Sequence, residues 1–127
     1  MASASFEDPN ILSALNSLTD FEIDNLDFGV IGYNLDEIIT VYNAHEANWA
    51  GLEQASIMGG HIFNIVAPCM NNYLIAERLR RSRQEGTSLD YVIEYVLTLR
   101  MRPTPVTLRI LSSPTSATQF ILVRRKG

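Results

Sequence analysis

Alternation of apolar and polar side chains is the clearest structural signal in this chain, where residues 89–101 read LDYVIEYVLTLRM. Every odd-numbered position from Leu89 to Met101 is apolar, and polar side chains such as Asp90 and Glu94 fall between them. A period of two residues is typical of a β-strand that has one face against a core. We therefore predict a strand here, with the odd-numbered side chains pointing inward.

Shorter runs before and after this strand predict four more strands. Residues 28–33 and 38–42 are rich in β-branched and aromatic side chains and flank a polar tetrapeptide, which is typical of a hairpin. Residues 106–110 and 119–123 continue the sheet. This order of two strands, a helical crossover and three strands predicts an α+β fold, a five-stranded antiparallel sheet with helices on one face.

The first 27 residues predict a helical lid on a core that spans residues 28–127, within a single domain. Asp8-Pro9 fits a helix cap and a first helical position, and Thr19 and Glu22 have the spacing of a capping box. The lid has no basic residue, and its acidic residues are Glu7, Asp8, Asp20, Glu22, Asp24 and Asp27. Its own charge repulsion favours release unless basic groups elsewhere hold it.

Between the second and third strands the sequence predicts short helices, an irregular segment and one longer helix. Gly51 is a helix stop, and residues 62–70 form a loop or irregular helix. The longer helix runs from residue 71 or 72 to residue 84 or 85 and ends at Gly86. Its arginines form a solvated face or, alternatively, contact the acidic lid: Arg78, Arg80, Arg81 and Arg83.

Length and charge exclude several classes of protein. With 127 residues, a net charge of −4 and one cysteine, the chain fits one domain without internal disulfides. All basic residues lie at or after Arg78, and no nucleic-acid-binding module is recognisable. The long uncharged stretch, residues 54–76, is too polar for a membrane span, and the first residues show no secretory signal. We expect a cytoplasmic protein that binds neither nucleic acid nor membranes.

Cys69, Tyr42 and Glu46 are candidates for a covalent ligand site, yet each also has a structural interpretation. A lone cysteine is more often a small buried hydrophobe than a reactive thiol. A tyrosine at a strand end is more often a partly buried phenol with one hydrogen bond. Asn43 and Glu46 have the spacing of a capping box, in which both residues serve only the helix end.

The chain resembles the photoactive yellow protein family, blue-light sensors on the PAS fold, over most of its length from about Leu12 onward. The matching motifs are Leu26-x-Phe28-Gly29-x-Ile31, Tyr42-Asn43-Ala44-x-Glu46, Gly59, Val66-Ala67-Pro68-Cys69, Gly86, Glu94-Tyr95 and Met101-x-Pro103-Thr104. The resemblance implies a PAS-like fold and assigns a function to the three candidate residues together.

In that family the cysteine that matches Cys69 carries p-coumaric acid (4-hydroxycinnamic acid) as a thioester, and the groups that match Tyr42 and Glu46 hydrogen-bond its phenolate. The resemblance implies a photoreceptor that signals by trans–cis isomerisation, proton transfer from a neutral Glu46 and loosening of the lid. Burial and like charge both disfavour an ionised carboxylate beside a phenolate. The implied pocket is lined by Ile31, Ala50, Leu52, Ile62, Val66, Ala67, Pro68, Leu97, Leu99 and Met101.

Two positions depart from the family pattern. Ala50 and Leu52 stand where the family typically has threonine and arginine, so a support for the Tyr42 hydroxyl and a cation over the ring are both missing. We expect an altered absorption maximum and altered dark recovery. We also expect the compensating cation to be one of four later or titratable residues: Arg100, Arg102, His45 or His61.

Two other functions stay open. A PAS-type ligand or interaction module without a covalent chromophore is compatible with the missing polar supports. A thiol enzyme would pair Cys69 with a histidine and Glu46, but no other motif supports it, so we expect no enzyme. The downstream signalling partner is unspecified, and we expect a monomer or a weak dimer.

Overall fold

The structure, a computed structural model, describes residues 4–98 and 103–125 and contains helices on both sides of one sheet. The helices are α1 (Ile11–Ser17), α2 (Asp20–Asp24), α3 (Ala44–Ala50), α4 (Gln54–Ile57) and α5 (Ala76–Glu85). The strands are β1 (Gly29–Tyr33), β2 (Ile39–Tyr42), β3 (Leu89–Leu97), β4 (Thr104–Ser112) and β5 (Gln119–Arg125). Between α4 and α5 lie a π-helical turn, Ile62–Val66, and a 3-10 turn, Pro68–Met70.

The five strands pair antiparallel in the order β2-β1-β5-β4-β3. The last strand, β5, lies in the middle, where Val123 is opposite Gly29 of β1 and Leu108 of β4. The predicted α+β architecture with a five-stranded antiparallel sheet is confirmed. Residues from the end of the chain are thereby placed beside residues from its first third.

Alternation along the strands divides the core into one layer on each face of the sheet. The crossover-side core, under α3 and α5, includes Ile31, Ala47, Leu79, Ile121 and Val123. The lid-side core, under α1 and α2, includes Ile11, Ile23, Val30, Phe120 and Leu122. The prediction of helices on one face is therefore wrong, because the middle strands β1 and β5 are apolar on both faces and need cover on both.

β3 is an edge strand, which limits how far its inward face is buried. Leu97 is fully buried, but Tyr91 is exposed and lies under the Arg78 guanidinium, 4.1 Å from the ring centroid. The other inward side chains are half-buried: Leu89, Ile93 and Tyr95. The prediction that the whole odd-numbered set lies inside is thus wrong at Tyr91. The predicted continuation over residues 99–101 lies outside the described residues.

In the lid, the predicted N-terminal helix cap is present at α2 but not at α1. Thr19 and Glu22 form the capping box, with reciprocal hydrogen bonds of 3.2 and 2.9 Å between each side chain and the other's backbone amide. The predicted cap at Asp8 is wrong, because α1 begins at Ile11 with Asn10 as its N-cap. Instead, the Asp8 carboxylate accepts a hydrogen bond from the Asn10 amide and forms a turn before the helix.

Two arginines hold the lid on the sheet. Buried Arg109 of β4 donates hydrogen bonds of 2.8 Å to the carbonyl oxygens of Phe6 and Asp8. Arg124 of β5 pairs with Glu7, and its guanidinium lies over the Phe6 ring at 4.4 Å. Within the described residues, the lid carboxylate of Glu7 therefore meets β5 and not the arginines of α5.

Local side-chain chemistry sets the ends of the crossover helices. Gly51 and Gly86 end α3 and α5 in the left-handed conformation, with φ of 69° and 67°, as predicted. α5 begins at Ala76, later than predicted, because the Asn72 side chain accepts hydrogen bonds from the amides of residues 74 and 75 and holds a turn there. None of the helices in the two described ranges is long and apolar enough to cross a membrane.

Candidate functional site

The start of α3 fixes Glu46 in the core. Asn43 caps this helix, and its side-chain oxygen accepts hydrogen bonds from the amides of Glu46 (3.1 Å) and Val30 (3.0 Å). Its side-chain amide donates to the carbonyl oxygens of Ile23 and Phe28, at 3.0 Å each. Buried Asn43 therefore joins α3 to β1 and α2 and places Glu46 in the first turn of the helix.

The Glu46 carboxylate pairs with Arg125 of β5. Arg125 donates one hydrogen bond to each carboxylate oxygen, Nη1 to Oε1 at 2.8 Å and Nη2 to Oε2 at 3.0 Å. The side chains of Arg125 and Glu46 are 8% and 2% exposed. The capping box predicted for Asn43 and Glu46 is thus half formed: Asn43 caps the helix, whereas Glu46 makes a two-bond ion pair, one of the stronger polar contacts in proteins.

Backbone and aromatic groups enclose this ion pair. A Cβ atom on Gly29 of β1 would overlap Glu46 Oε1, so the carboxylate lies directly against the strand. On its other side, the Arg125 guanidinium lies over the Trp49 ring, 5.6 Å from the centroid. The pair therefore lies between strand β1 and the Trp49 ring.

Tyr42 presents a neutral phenol to the same layer. Its side chain is buried at the end of β2 in the crossover-side core, and the Gln54 side chain donates to its carbonyl oxygen at 2.9 Å. Burial and the negative charge of Glu46 raise the pKa of the Tyr42 phenol above its usual range, and Arg125 offsets only part of this effect. Tyr42 thus keeps its proton at neutral pH and can act as a hydrogen-bond donor.

The turn that carries Cys69 is held through its own backbone. The Cys69 carbonyl oxygen accepts hydrogen bonds from the Tyr95 hydroxyl (2.5 Å) and the Asn72 side chain (3.1 Å). Asn72 also donates to the Tyr95 hydroxyl oxygen at 2.6 Å. The thiol itself is free and half-buried against the crossover-side core. Of the two structures predicted for residues 62–70, a loop or an irregular helix, the π-helical and 3-10 turns confirm the irregular helix.

The structure brings five of the ten predicted lining residues into one layer with Tyr42 and Cys69. Buried members of the crossover-side core are Ile31, Ile62, Ala67 and Leu97, and Val66 packs against them. Ala50 and Leu52 are half-buried near the end of α3, whereas Pro68 is exposed. Leu99 and Met101 lie outside the described residues. The roles of these residues toward a ligand stay predictions.

Within residues 4–98 and 103–125, the cation that contacts Glu46 is Arg125, which is not among the four predicted cations. His45 lies beside the Trp49 ring, at 6.4 Å between centroids, and His61 faces Glu37 at 3.3 Å. Arg100 and Arg102 lie outside the described residues. The sequence does indicate that Arg125 faces the crossover-side core, because it follows buried Ile121 and Val123 at a period of two on β5. Its partner depends on strand order, which the pattern does not contain.

A separate cavity of about 430 Å³ lies between α1 and the turn that joins β4 to β5. None of the predicted site residues lines it. Among residues 4–98 and 103–125, no group of three or more His, Cys, Asp or Glu side chains could hold a metal ion.

Known proteins similar to this chain match it over nearly its full length. It is 30% identical over 120 residues to a photoactive yellow protein of Rhodothalassium salexigens, and the aligned residues cover 94% of this chain and 95% of that protein. The chain belongs to the photoactive yellow protein family. A photoactive yellow protein of Halochromatium salexigens is 28% identical with the same coverage. No family model matches the chain.

Solved structures agree with membership of the photoactive yellow protein family. The photoactive yellow protein domain of the sensor histidine kinase Ppr from Rhodospirillum centenum has a TM-score of 0.80 and 26% identity, covering 89% of this chain and 98% of that domain. A PAS domain of the quorum-sensing receptor RpfR from Cronobacter turicensis has a TM-score of 0.56 at 15% identity, covering 80% and 95%, and shows the fold alone. The predicted family and PAS fold are confirmed, and the chain is a photoactive-yellow-protein-like photoreceptor or PAS sensor.

Proposed function

We propose that this chain is a blue-light photoreceptor that carries p-coumaric acid as a thioester on Cys69. It signals by trans–cis isomerisation, proton transfer from Glu46 and rearrangement of the lid, residues 1–27. One observation carries the proposal: a half-buried free thiol and the buried Tyr42 phenol share one apolar layer, and the buried Glu46 carboxyl stands beside it.

Cys69 supplies the acyl acceptor. Its thiolate attacks the carbonyl carbon of an activated coumaroyl ester, the activating group leaves with the electrons of its bond, and a sulfur–carbon bond forms. The coumaroyl group, when bound, absorbs the photon and isomerises about its double bond. Tyr95 and Asn72 hold the turn that carries the anchor, which restricts where an attached ring can lie.

Tyr42 and Glu46 supply the polar end of the site. A phenolate in a dry pocket needs donors aimed at its oxygen, and a phenol whose pKa is raised by burial keeps the proton that it donates. The Glu46 carboxyl can release or accept a proton at the same place. These two residues thus supply the donor and the proton carrier that the proposed photochemistry requires.

Contacts between α2 and α3 support the lid as the output of the site. The Asp24 carboxylate accepts hydrogen bonds from the amide of Ala44 (2.9 Å) and from the Gln54 side chain (3.0 Å). Asn43 adds its hydrogen bond to the Ile23 carbonyl oxygen. The lid is therefore fastened to the first turn of the helix that carries Glu46, and a downstream partner would detect its release.

Incubation of the purified protein with an activated p-coumaric ester tests the proposal. We expect a mass increase of one coumaroyl group, visible absorption, bleaching under blue light and recovery in the dark. The matched control is Cys69→Ala, which should show none of these. Because the lid carries the output in this proposal, deletion of residues 1–27 should change the recovery rate.

The outcomes separate the competing functions. Protein that gains neither mass nor colour would instead be a PAS-type ligand or interaction module with an unmodified Cys69. Turnover that iodoacetamide abolishes would indicate a thiol enzyme. Equal recovery with and without the lid would contradict the proposed output while leaving the chromophore in place.

A further inference from the structure

We propose that Arg125 is the counter-ion of this site: it holds Glu46 as a carboxylate before a ligand binds and balances the negative charge of a bound phenolate afterwards. The second half rests on the proposed function, whereas the first concerns the ligand-free protein. The observation is the two-bond contact between the Arg125 guanidinium and the Glu46 carboxylate, with both side chains almost fully removed from water.

The surroundings of the pair favour the charged form of both groups. A buried carboxylate without a cation is costly and tends to take up a proton, but a guanidinium that donates to both oxygens removes that tendency. In the described part of the chain, the titratable groups that interact with Glu46 are Tyr42 on β2 and Arg125 on β5, and His45 precedes it on α3. Tyr42 is neutral, so Arg125 is the group that determines the charge of the site.

Charge balance then limits where one proton can reside. The Glu46–Arg125 pair is neutral, and a bound phenolate would bring one uncompensated negative charge into the core. The site returns to neutrality when Glu46 and the ligand phenol share one proton between them, because Arg125 balances the single remaining negative charge. Arg125 therefore favours ionisation of the ligand through its charge, whereas Tyr42 favours it through one donated hydrogen bond.

The ligand-free protein tests the first half by infrared spectroscopy. The difference spectrum between wild type and Glu46→Gln should show loss of carboxylate bands and no loss of a neutral carboxyl band at neutral pH. The difference spectrum between Arg125→Gln and the double variant with Glu46→Gln should show loss of a neutral carboxyl band. A neutral carboxyl band from Glu46 in the wild type would overturn the inference, and this comparison does not depend on the folding of any Arg125 variant.

Thermal unfolding of the same ligand-free variants gives a second readout. Glu46→Gln and Arg125→Gln should each lower the unfolding midpoint by on the order of 10 °C. In the double variant the midpoint should fall by much less than the sum of these two decreases. Arg124→Gln is the matched control, because its side chain lies on the other face of the sheet. Additive losses from Glu46 and Arg125 would contradict the pair.

The coumaroyl-loaded protein tests the second half. Arg125→Gln should raise the pH at which half of the phenolate absorption is lost by about 1–3 pH units, since one nearby opposite charge is removed. Arg125→Lys should restore most of this shift, and Arg124→Gln should stay near the wild type. An unchanged midpoint in Arg125→Gln would overturn the counter-ion role. If no coumaroyl adduct forms, the counter-ion role toward the ligand is rejected together with the proposed function. The infrared and unfolding data then still test the ion pair between Arg125 and Glu46.

Discussion

Arg124 and Arg125 are consecutive residues of β5, yet their guanidinium groups act on opposite faces of the sheet. Arg124 pairs with Glu7 of the lid, whereas Arg125 pairs with Glu46 of the candidate site. Alternation along a strand requires this division, because successive side chains point to opposite faces. One end of the central strand thus holds the lid with one residue and the buried carboxylate with the next.

Gly29→Ala should destabilise the protein by about 1–3 kcal/mol, because the added methyl group overlaps Glu46 Oε1 and must displace the carboxylate from Arg125. Chemical denaturation measures the free energy of unfolding. In a Glu46→Ala background the same substitution should cost clearly less, since the overlapping oxygen is gone. An equal cost in both backgrounds would show that Gly29 is constrained by something other than Glu46.

Arg109→Leu should destabilise the attachment of the lid far more than Arg124→Leu. Arg109 is buried, and its loss removes the donor to the Phe6 carbonyl oxygen, one of two donors to the Asp8 carbonyl oxygen and both hydrogen bonds to the Asp90 carboxylate, at a cost of about 3 kcal/mol. The Arg124 pair with Glu7 is exposed on both sides, so its loss should cost no more than about 1 kcal/mol.

Limited proteolysis and amide hydrogen exchange of residues 4–18 measure lid attachment in both variants. Arg109→Leu should accelerate cleavage and exchange strongly, whereas Arg124→Leu should do so weakly. Equal effects would mean that the exposed pair and the ring contact with Phe6 hold the lid as firmly as the buried donor does.

Tyr95→Phe should loosen the turn that carries Cys69. The variant keeps the ring but removes the hydroxyl that donates to the Cys69 carbonyl oxygen, which should cost about 1–3 kcal/mol. A thiol reagent should then react faster with Cys69. Tyr91→Phe, on the same strand but with an exposed ring, is the control and should leave both the stability and the thiol reactivity nearly unchanged.

The ion pair between Glu37 and Arg80 should make stability depend on pH in the acid range. Two hydrogen bonds from Arg80, at 2.7 and 2.8 Å, hold the pKa of Glu37 below its usual value of 4.5, and nearby His61 adds to this effect. Because the folded-state pKa is lowered, the stabilisation is complete above the unfolded-state value. It is lost as the pH falls through the folded-state pKa.

Urea unfolding of wild type and Glu37→Gln between pH 7 and pH 3 measures this effect. The wild type should be more stable at pH 7, and the difference should decrease as the pH falls below 4.5. Glu77→Gln is the control, because this more exposed partner of Arg80 should contribute little at any pH. A difference of the same size at pH 7 and pH 3 would contradict titration of Glu37 as its cause.

Several elements could be predicted because their causes are local. The capping box of Thr19 and Glu22 and the helix stops at Gly51 and Gly86 depend on residues within one turn of each other. The prediction at Tyr91 was wrong for a reason outside its own strand. Alternation with a period of two residues predicts which side chains share a face of the strand. The position of β3 at the sheet edge determines how much of that face is covered.

The sequence by itself determined the elements, the family and the three candidate residues, because helix ends, strand alternation and motif spacing are short-range properties. Only the tertiary structure decided which groups meet. Arg125 and Glu46 are 79 positions apart, and Arg109 lies 103 positions from Phe6. These contacts form because β5 is inserted beside β1, and the resulting ion pair depends on strand order and burial, which no local pattern encodes.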